Sequence, residues 1–360
     1  MSDGSGFDEA HQPTWGRARS GRGRGPRARL RGASDGLTQV SLTVDGHERT
    51  LLVSATPGQP RPLVIALHGG GGQASGMVGL TDLARRGAGA GFATAFPNGL
   101  HRAWNDGRTG ARLARRAGVD DKAFLVAMID HLAARDMVDP DSVFVCGMSN
   151  GAFMSDHLAR MAPTRVAGIG LVAGTARPGA SAAAPFPPGP MPVMMFHGDA
   201  DPLVPYGGGP ITIPAPGAQR RAARRTGRAA RRGPGSDGEP TAGRGVCMGA
   251  EALAADWARI AGCDPRPVVE RLASPGPDLG VVRLTWQGPA GVPVVLHRIE
   301  GGGHAWPGGP QYLPARLVGP VAHGLDATGI LLGYFEWILA RRSGGPTPPG
   351  TTTPVITPTC

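Results

Sequence analysis

Lysine is almost missing from this chain: Lys122 is the only one, and the other 36 of its 37 basic residues are arginine. Aromatic side chains are also scarce, at 5%. No apolar run approaches the ~18–20 residues that cross a bilayer, so no membrane span is expected. The first 36 residues contain basic side chains but no apolar h-region and no small-residue cleavage site, so the sequence as it stands carries no export signal. Cysteine is limited to Cys146, Cys247, Cys263 and Cys360, whose spacing fits no zinc site of the CxxC type. Cys146 sits in an apolar strand pattern and reads as a small buried hydrophobe. A local disulfide between Cys247 and Cys263 in an oxidising compartment is left open by the sequence. No constellation of metal ligands is present, and neither a metal nor another cofactor is expected.

The formal net charge of +10 invites a polyanion partner, but its distribution argues against one. Seven arginines and four acids lie in residues 1–36, and eight arginines and two acids in 216–246. The remainder is nearly neutral. Both segments are rich in Gly, Ala, Pro and Arg, a composition that buries too little apolar surface to offset its ordering entropy. They are expected to be a disordered tail and a disordered insertion, and residues 342–360 a Pro/Thr-rich tail. A polyanion-binding arm is the alternative. No zinc finger, RNP sequence or other nucleic-acid module supports it, and no nucleic-acid partner is expected.

Between the tails, residues 37–341 read as one domain. Residues 37–56 alternate apolar and polar side chains around Asp45-Gly46, a hairpin signal. Leu63–Leu67 is a continuous apolar run that ends in glycines, as a central parallel strand would. A short helix is expected over 77–90, a strand over 91–96 and a helix over 124–134, with Asp120 and Asp121 near its start where carboxylates suit the dipole. Residues 142–162 read as a strand, a sharp turn and a helix. Strands follow over 166–174, 192–201 and 293–304, with helices over 251–262 and 327–341. Such alternation indicates an α/β fold with a mostly parallel central sheet and helices on both faces.

Four motifs carry chemistry. Gly147-Met148-Ser149-Asn150-Gly151 places a serine on a tight strand-to-helix turn, which exposes the hydroxyl and leaves the Asn150 N–H at the helix start to face an oxyanion. His68-Gly69-Gly70-Gly71-Gly72 ends the first central strand. Only glycine lets backbone approach a substrate so closely, and the Gly70 N–H is the second expected oxyanion donor. A phosphate-cradling loop is excluded there, because no Gly-Lys-Ser/Thr follows. His197-Gly198-Asp199-Ala200-Asp201-Pro202 follows a strand and offers two acids. Gly301-Gly302-Gly303-His304 follows a later strand and offers an imidazole. The order serine, acid, histidine is that of the α/β-hydrolases, with His304 as the base and an acid to hold its tautomer.

Seven markers in order resemble the polyhydroxybutyrate-depolymerase-like and feruloyl-esterase-like esterases of the α/β-hydrolase superfamily. They are LHGGGG at 67–72, FPNG at 96–99, AWNDGR at 103–108, DDKAF at 120–124, GMSNG at 147–151, HGDADPLVPY at 197–206 and GGGHAWPGG at 301–309. The resemblance spans roughly residues 45–340, interrupted by 216–246. It implies the α/β-hydrolase fold, with Asp201 as the acid and Asp199 as the runner-up. It also implies that Trp104, Asn105, Asp106, Tyr206 and Trp306 lie near the pocket mouth, where ordinary core packing is an equal alternative for the aromatics. The implied activity is hydrolysis of carboxylic esters through an acyl-enzyme on Ser149. Short hydroxyalkanoate esters and feruloyl or acetyl esters of polysaccharide are the implied substrates. A serine peptidase or acyltransferase on the same fold is one rival, and a polyanion-binding protein on a degenerate scaffold is another. The resemblance implies an extracellular location, which the missing export signal leaves open to a cytoplasmic one. It leaves the oligomeric state open.

Overall fold

The computed structural model describes residues 36–108, 118–183, 190–212, 245–273, 278–288 and 291–344. The tails expected over 1–36 and 342–360 fall almost entirely outside the described residues, as does the insertion expected over 216–246.

The apolar run singled out in the sequence forms a strand, Arg61–Leu67, whose last five residues are buried. Leu63, Ile65 and Leu67 enter one core and Val64 and Ala66 another. Strand side chains alternate between faces, so a strand covered on both sides needs apolar residues at every position. In chain order the strands are β1 (Thr38–Val44), β2 (His47–Ser54), β3 (Arg61–Leu67), β4 (Ala93–Pro97), β5 (Val138–Met148) and β6 (Gly168–Val172). Then come β7 (Val193–Gly198), β8 (Gly209–Pro210), β9 (Val246–Cys247), β10 (Val268–Leu272), β11 (Val281–Trp286) and β12 (Val294–Ile299).

Ten of them make one sheet in the order β1-β2-β4-β3-β5-β6-β7-β12-β11-β10. The six strands from β4 to β12 run parallel, and the flanking strands are antiparallel. Strand order reverses at β3, between β4 and β5, so the loops leaving the carboxyl ends of β3 and β5 border a crevice. This is the α/β-hydrolase arrangement. The first hairpin turns at Asp45 and Gly46, both at positive φ (49° and 75°), as a two-residue type I′ turn requires.

Helices cover both faces. On the Leu63 side pack α3 (Asp121–Ala133), α4 (Asn150–Met161) and α5 (Ala250–Ile260); on the Val64 side pack α1 (Ala74–Thr81), α2 (Leu83–Gly89) and α6 (Ala327–Arg342). The single helix expected over 77–90 is therefore two. Asp82 breaks it in the left-handed region (φ 52°), while Thr81 Oγ1 donates to Met77 O (2.9 Å) and accepts from Leu83 N–H (3.2 Å). Such local side-chain bonding competes with helix continuation. Strands β10 and β11 have no counterpart in the sequence reading. In β11 the buried Arg283 interrupts the apolar pattern and pairs with Glu270 on β10 at 2.5 Å, while β10 exposes Val268 and Val269.

The short ladder between β8 and β9 pairs Gly209 with Cys247 and Pro210 with Val246, and Ile211 N–H donates to Gly245 O (3.0 Å). The chain thus leaves for residues 213–244 and returns at one closed point. Cys146, Cys247 and Cys263 are free thiols, so the disulfide left open between the last two is not formed. Burial pushes the Cys146 thiol up to about 12. Among the described residues no helix is long and apolar enough to cross a membrane.

A buried ion pair ties β2 to the start of α3. Arg49 on β2 donates to Asp121 at the start of α3 (2.5 Å), with its guanidinium 3.8 Å from the centre of the Phe124 ring. The second Asp121 oxygen accepts the Asn105 N–H (2.6 Å). Removing one partner of such a pair strands a buried charge, at about 3–5 kcal/mol. Asp121→Asn is expected to lower stability by about that much, read as a drop in the urea midpoint with an unchanged slope.

Candidate active site

Strand β5 ends at Met148 and helix α4 begins at Asn150, which leaves one residue for the change of direction. That residue, Ser149, sits at φ 56°, ψ −120°. Positive φ costs a non-glycine residue on the order of 1–2 kcal/mol, so the surroundings must enforce it. Ser149 N–H donates to Val172 O at the end of β6 (2.9 Å), and Ser149 O accepts the Phe153 N–H (3.1 Å). A Cβ on Gly151 would lie 2.1 Å from Leu67 O, and one on Gly147 would lie 2.4 Å from the Gly151 carbonyl carbon. The two glycines let the turn close against the end of β3. Ser149 remains partly exposed while its neighbours Met148 and Asn150 are buried.

The glycine loop after β3 lies directly beside the serine: a Cβ on Gly69 would come within 3.4 Å of Ser149 Cβ. Gly71 N–H donates to Arg102 O (2.7 Å) and Gly72 N–H to Gly69 O (2.9 Å). The exposed Gly70 N–H has no such partner among the described residues. His68 is buried beneath the loop. Its Nε2 accepts the Gly99 N–H (3.0 Å), which leaves Nδ1–H to donate to Gly69 O (2.8 Å). Burial holds the His68 pKa below the usual imidazole range, so the ring stays neutral in this tautomer.

The acid and the base meet beyond β7 and β12, two adjacent parallel strands. Asp201 Oδ2 and His304 Nδ1 are 2.7 Å apart, both side chains nearly inaccessible. Oδ1 of Asp201 accepts the N–H groups of Leu203 (2.8 Å) and Val204 (3.0 Å). Burial alone would raise the Asp201 pKa. The hydrogen bond from His304, the electrostatic influence of the adjacent His304 and His197 rings and the Val204 N–H outweigh it, and the carboxyl is held below the usual range. Of the two acids in the motif only Asp201 touches His304. Asp199 is exposed and accepts the Gly301 N–H (2.7 Å), bracing the loop that carries the histidine. No hydrogen bond joins Ser149 Oγ to His304 among the described residues, although both lie at the same carboxyl edge of the sheet. The His304 backbone is clamped on both sides: its N–H donates to Val318 O (2.5 Å) and its carbonyl accepts from Tyr312 OH (3.0 Å).

Most of the residues expected near the pocket mouth are engaged in internal contacts. Trp104 is fully buried, with its indole N–H donating to His68 O (2.8 Å). Trp306 is 1% exposed and donates to Thr328 Oγ1 (2.9 Å). Neither indole presents surface to a ligand; both fill core. Asn105 is partly exposed but donates through Nδ2 to Val119 O (2.7 Å). Asp106 is buried and accepts from Asn150 Nδ2 (2.7 Å) and from Arg108 Nε (2.9 Å). Tyr206 is half-buried and donates to Glu251 (2.8 Å). Two residues that the motifs did not single out belong to the site's frame. Tyr312 has no sequence signal beyond a lone aromatic in a Pro/Gly-rich loop. His197 donates from Nε2 to Val204 O (2.9 Å) and lies 3.6 Å from Asp201 Oδ2. Burial keeps its pKa low and the ring neutral behind the acid. Its place at the head of the HGDAD motif was the available signal.

This arrangement can generate a nucleophile and hold a developing negative charge. Residues 52–205 match the family described as Esterase PHB depolymerase. A protein of Nocardia uniformis subsp. tsuyamanensis that carries the name esterase NocK is 34% identical over 292 residues, covering 77% of this chain and 76% of that one. Among solved structures, an acetyl xylan esterase from Aspergillus awamori aligns at 15% identity over 74% of this chain and 94% of that chain, with a TM-score of 0.47. A thermostable esterase aligns at 18% identity over 48% and 49%, with a TM-score of 0.36. The extent and identity of the first relative, together with the family match across β2 to the acid loop, decide the matter: the chain belongs to the Esterase PHB depolymerase family of carboxylic ester hydrolases.

Proposed function

We propose that the chain hydrolyses esters through a covalent acyl-enzyme on Ser149, with His304 as general base and acid and Asp201 as its orienting partner. The observation that carries this reading is the buried 2.7 Å contact between Asp201 and His304, on the same sheet edge as a serine held at φ 56°. Ser149 Oγ attacks the ester carbonyl carbon as His304 Nε2 takes its proton. The oxyanion is held by the N–H groups of Asn150 and Gly70. The intermediate collapses, the ester C–O bond breaks, and His304 returns the proton to the departing alcohol. Water then attacks the acyl-enzyme with the same histidine as base, releasing the carboxylic acid and the free serine. Nucleophile–base contacts are commonly looser before substrate binds, which accommodates the open Ser149–His304 contact.

Short hydroxyalkanoate esters and feruloyl or acetyl esters of polysaccharide are the proposed substrate classes. The exposed Tyr312, whose hydroxyl bonds the His304 carbonyl, and the half-buried Tyr206 favour a substrate that presents apolar as well as polar surface. Hydrolysis of p-nitrophenyl acetate, p-nitrophenyl butyrate and methyl ferulate tests both levels of the proposal. Ser149→Ala is expected to lose activity on all three, and the wild-type profile ranks acyl preference. Activity retained by the variant contradicts the serine mechanism.

The two acids separate cleanly. Asp201→Asn is expected to lower kcat on the order of 10³–10⁴-fold, because a carboxamide no longer fixes the imidazole tautomer. Asp199→Asn keeps an oxygen for the Gly301 N–H and is expected to stay within about threefold of wild type. The lowered Asp201 pKa also predicts a sign for stability. Its contribution is complete above the unfolded carboxylate range of about 3.9 and is lost as pH falls through the lower folded value. The stability gap between wild type and Asp201→Asn is therefore expected to narrow on acidification, in urea titrations between neutral and acidic pH.

A further inference from the structure

The two proposed oxyanion donors come from different parts of the chain, the glycine loop after β3 and the start of α4, yet both must be held against the same oxygen. We infer that Trp104 is the positioning residue that joins them. Its backbone takes the Asn150 carboxamide in a two-point clamp. Trp104 N–H donates to Asn150 Oδ1 (2.7 Å), and Trp104 O accepts from Asn150 Nδ2 (3.1 Å). The remaining Asn150 Nδ2 hydrogen goes to Asp106 Oδ2 (2.7 Å), which Arg108 in turn holds. From the same residue the indole N–H reaches the other half of the site and donates to His68 O (2.8 Å).

His68 extends the brace into the glycine loop. Its ring lies 4.9 Å from the indole at 37°, and it bonds Gly99 N–H on one side and Gly69 O on the other. Both ring nitrogens are therefore engaged. Trp104 is fully buried, so it touches no substrate and acts only through Asn150 and His68. Preorganised donors are effective because their geometry is fixed before charge develops, and displacements near 1 Å can cost on the order of 10²-fold in rate. A brace of this kind sets the separation of the Gly70 and Asn150 N–H groups.

The inference rests on the proposed acyl-enzyme reading, and its test keeps the two apart. Trp104→Phe retains an aromatic ring and the backbone clamp but deletes the indole N–H. It is expected to lower kcat at least about tenfold with KM within about twofold, and to weaken binding of a trifluoromethyl ketone by a similar factor. Affinity for the carboxylic acid product is expected to be unchanged. Trp257→Phe is the control: Trp257 is equally buried and donates to Asp156 Oδ1 (2.8 Å) well along α4, so kcat and ketone affinity should stay at the wild-type level even if stability falls. His68→Asn keeps a donor near Gly69 O and removes the acceptor for Gly99. It is expected to reproduce the kcat and ketone losses, and it serves if Trp104→Phe does not fold. Wild-type kcat and ketone affinity in a folded brace variant overturn the inference, as do equal losses in Trp257→Phe. Full activity in Ser149→Ala overturns the underlying reading instead.

Discussion

A serine at φ 56° between a strand and a helix is a strained element that the rest of the fold must hold in place. The strain is confined because Gly147 and Gly151 have no side chains to collide with the end of β3 and with each other. It is sustained because Ser149 N–H is bonded into β6 and α4 starts immediately behind it. The parallel register of β3, β5 and β6 therefore fixes where the hydroxyl stands. Because β7 and β12 continue the same parallel set, the acid and the histidine leave the sheet at the same edge. One constraint, adjacent parallel strands ending at a shared edge, accounts for the placement of three residues separated by over 150 positions in sequence.

Burial then divides the charged and polar groups by task. Asp201 is nearly inaccessible yet stays ionised, because two backbone N–H groups and the His304 ring take its lone pairs. His68 and His197 are buried, and desolvation keeps both neutral, His68 as a donor–acceptor bridge between Gly69 O and Gly99 N–H and His197 as a donor to Val204 O. Asp121 and Arg49 perform a further service, tying β2 and α3 to the segment that carries Trp104 and Asn105.

The sheet and the turns that carry the candidate site residues were legible in the sequence because both obey short-range rules. The apolar run Leu63–Leu67 reads as a central parallel strand and residues 142–162 as a strand, a sharp turn and a helix, and Ser149, His304 and the two candidate acids stand in glycine-rich turns with recognisable spacing. Which acid engages the histidine depended on geometry across two strands, and Asp201 rather than Asp199 makes the contact. Trp104 and Trp306 illustrate what pattern could not supply. Pattern left a place at the pocket mouth and ordinary core packing as equal alternatives, and long-range packing places both indoles inside. The break at Asp82 and the strands β10 and β11 were missed for a related reason. A left-handed aspartate leaves no strong signature, and a buried arginine masks the alternation of an antiparallel strand.

The most direct test of the central claim is covalent. A fluorophosphonate ester should form one adduct per chain, and peptide mapping by mass spectrometry should place it on Ser149. Labelling should slow sharply in His304→Ala, since the nucleophile depends on that base. An adduct on another residue, or equal labelling rates with and without His304, would contradict a serine nucleophile activated by the buried Asp201–His304 pair.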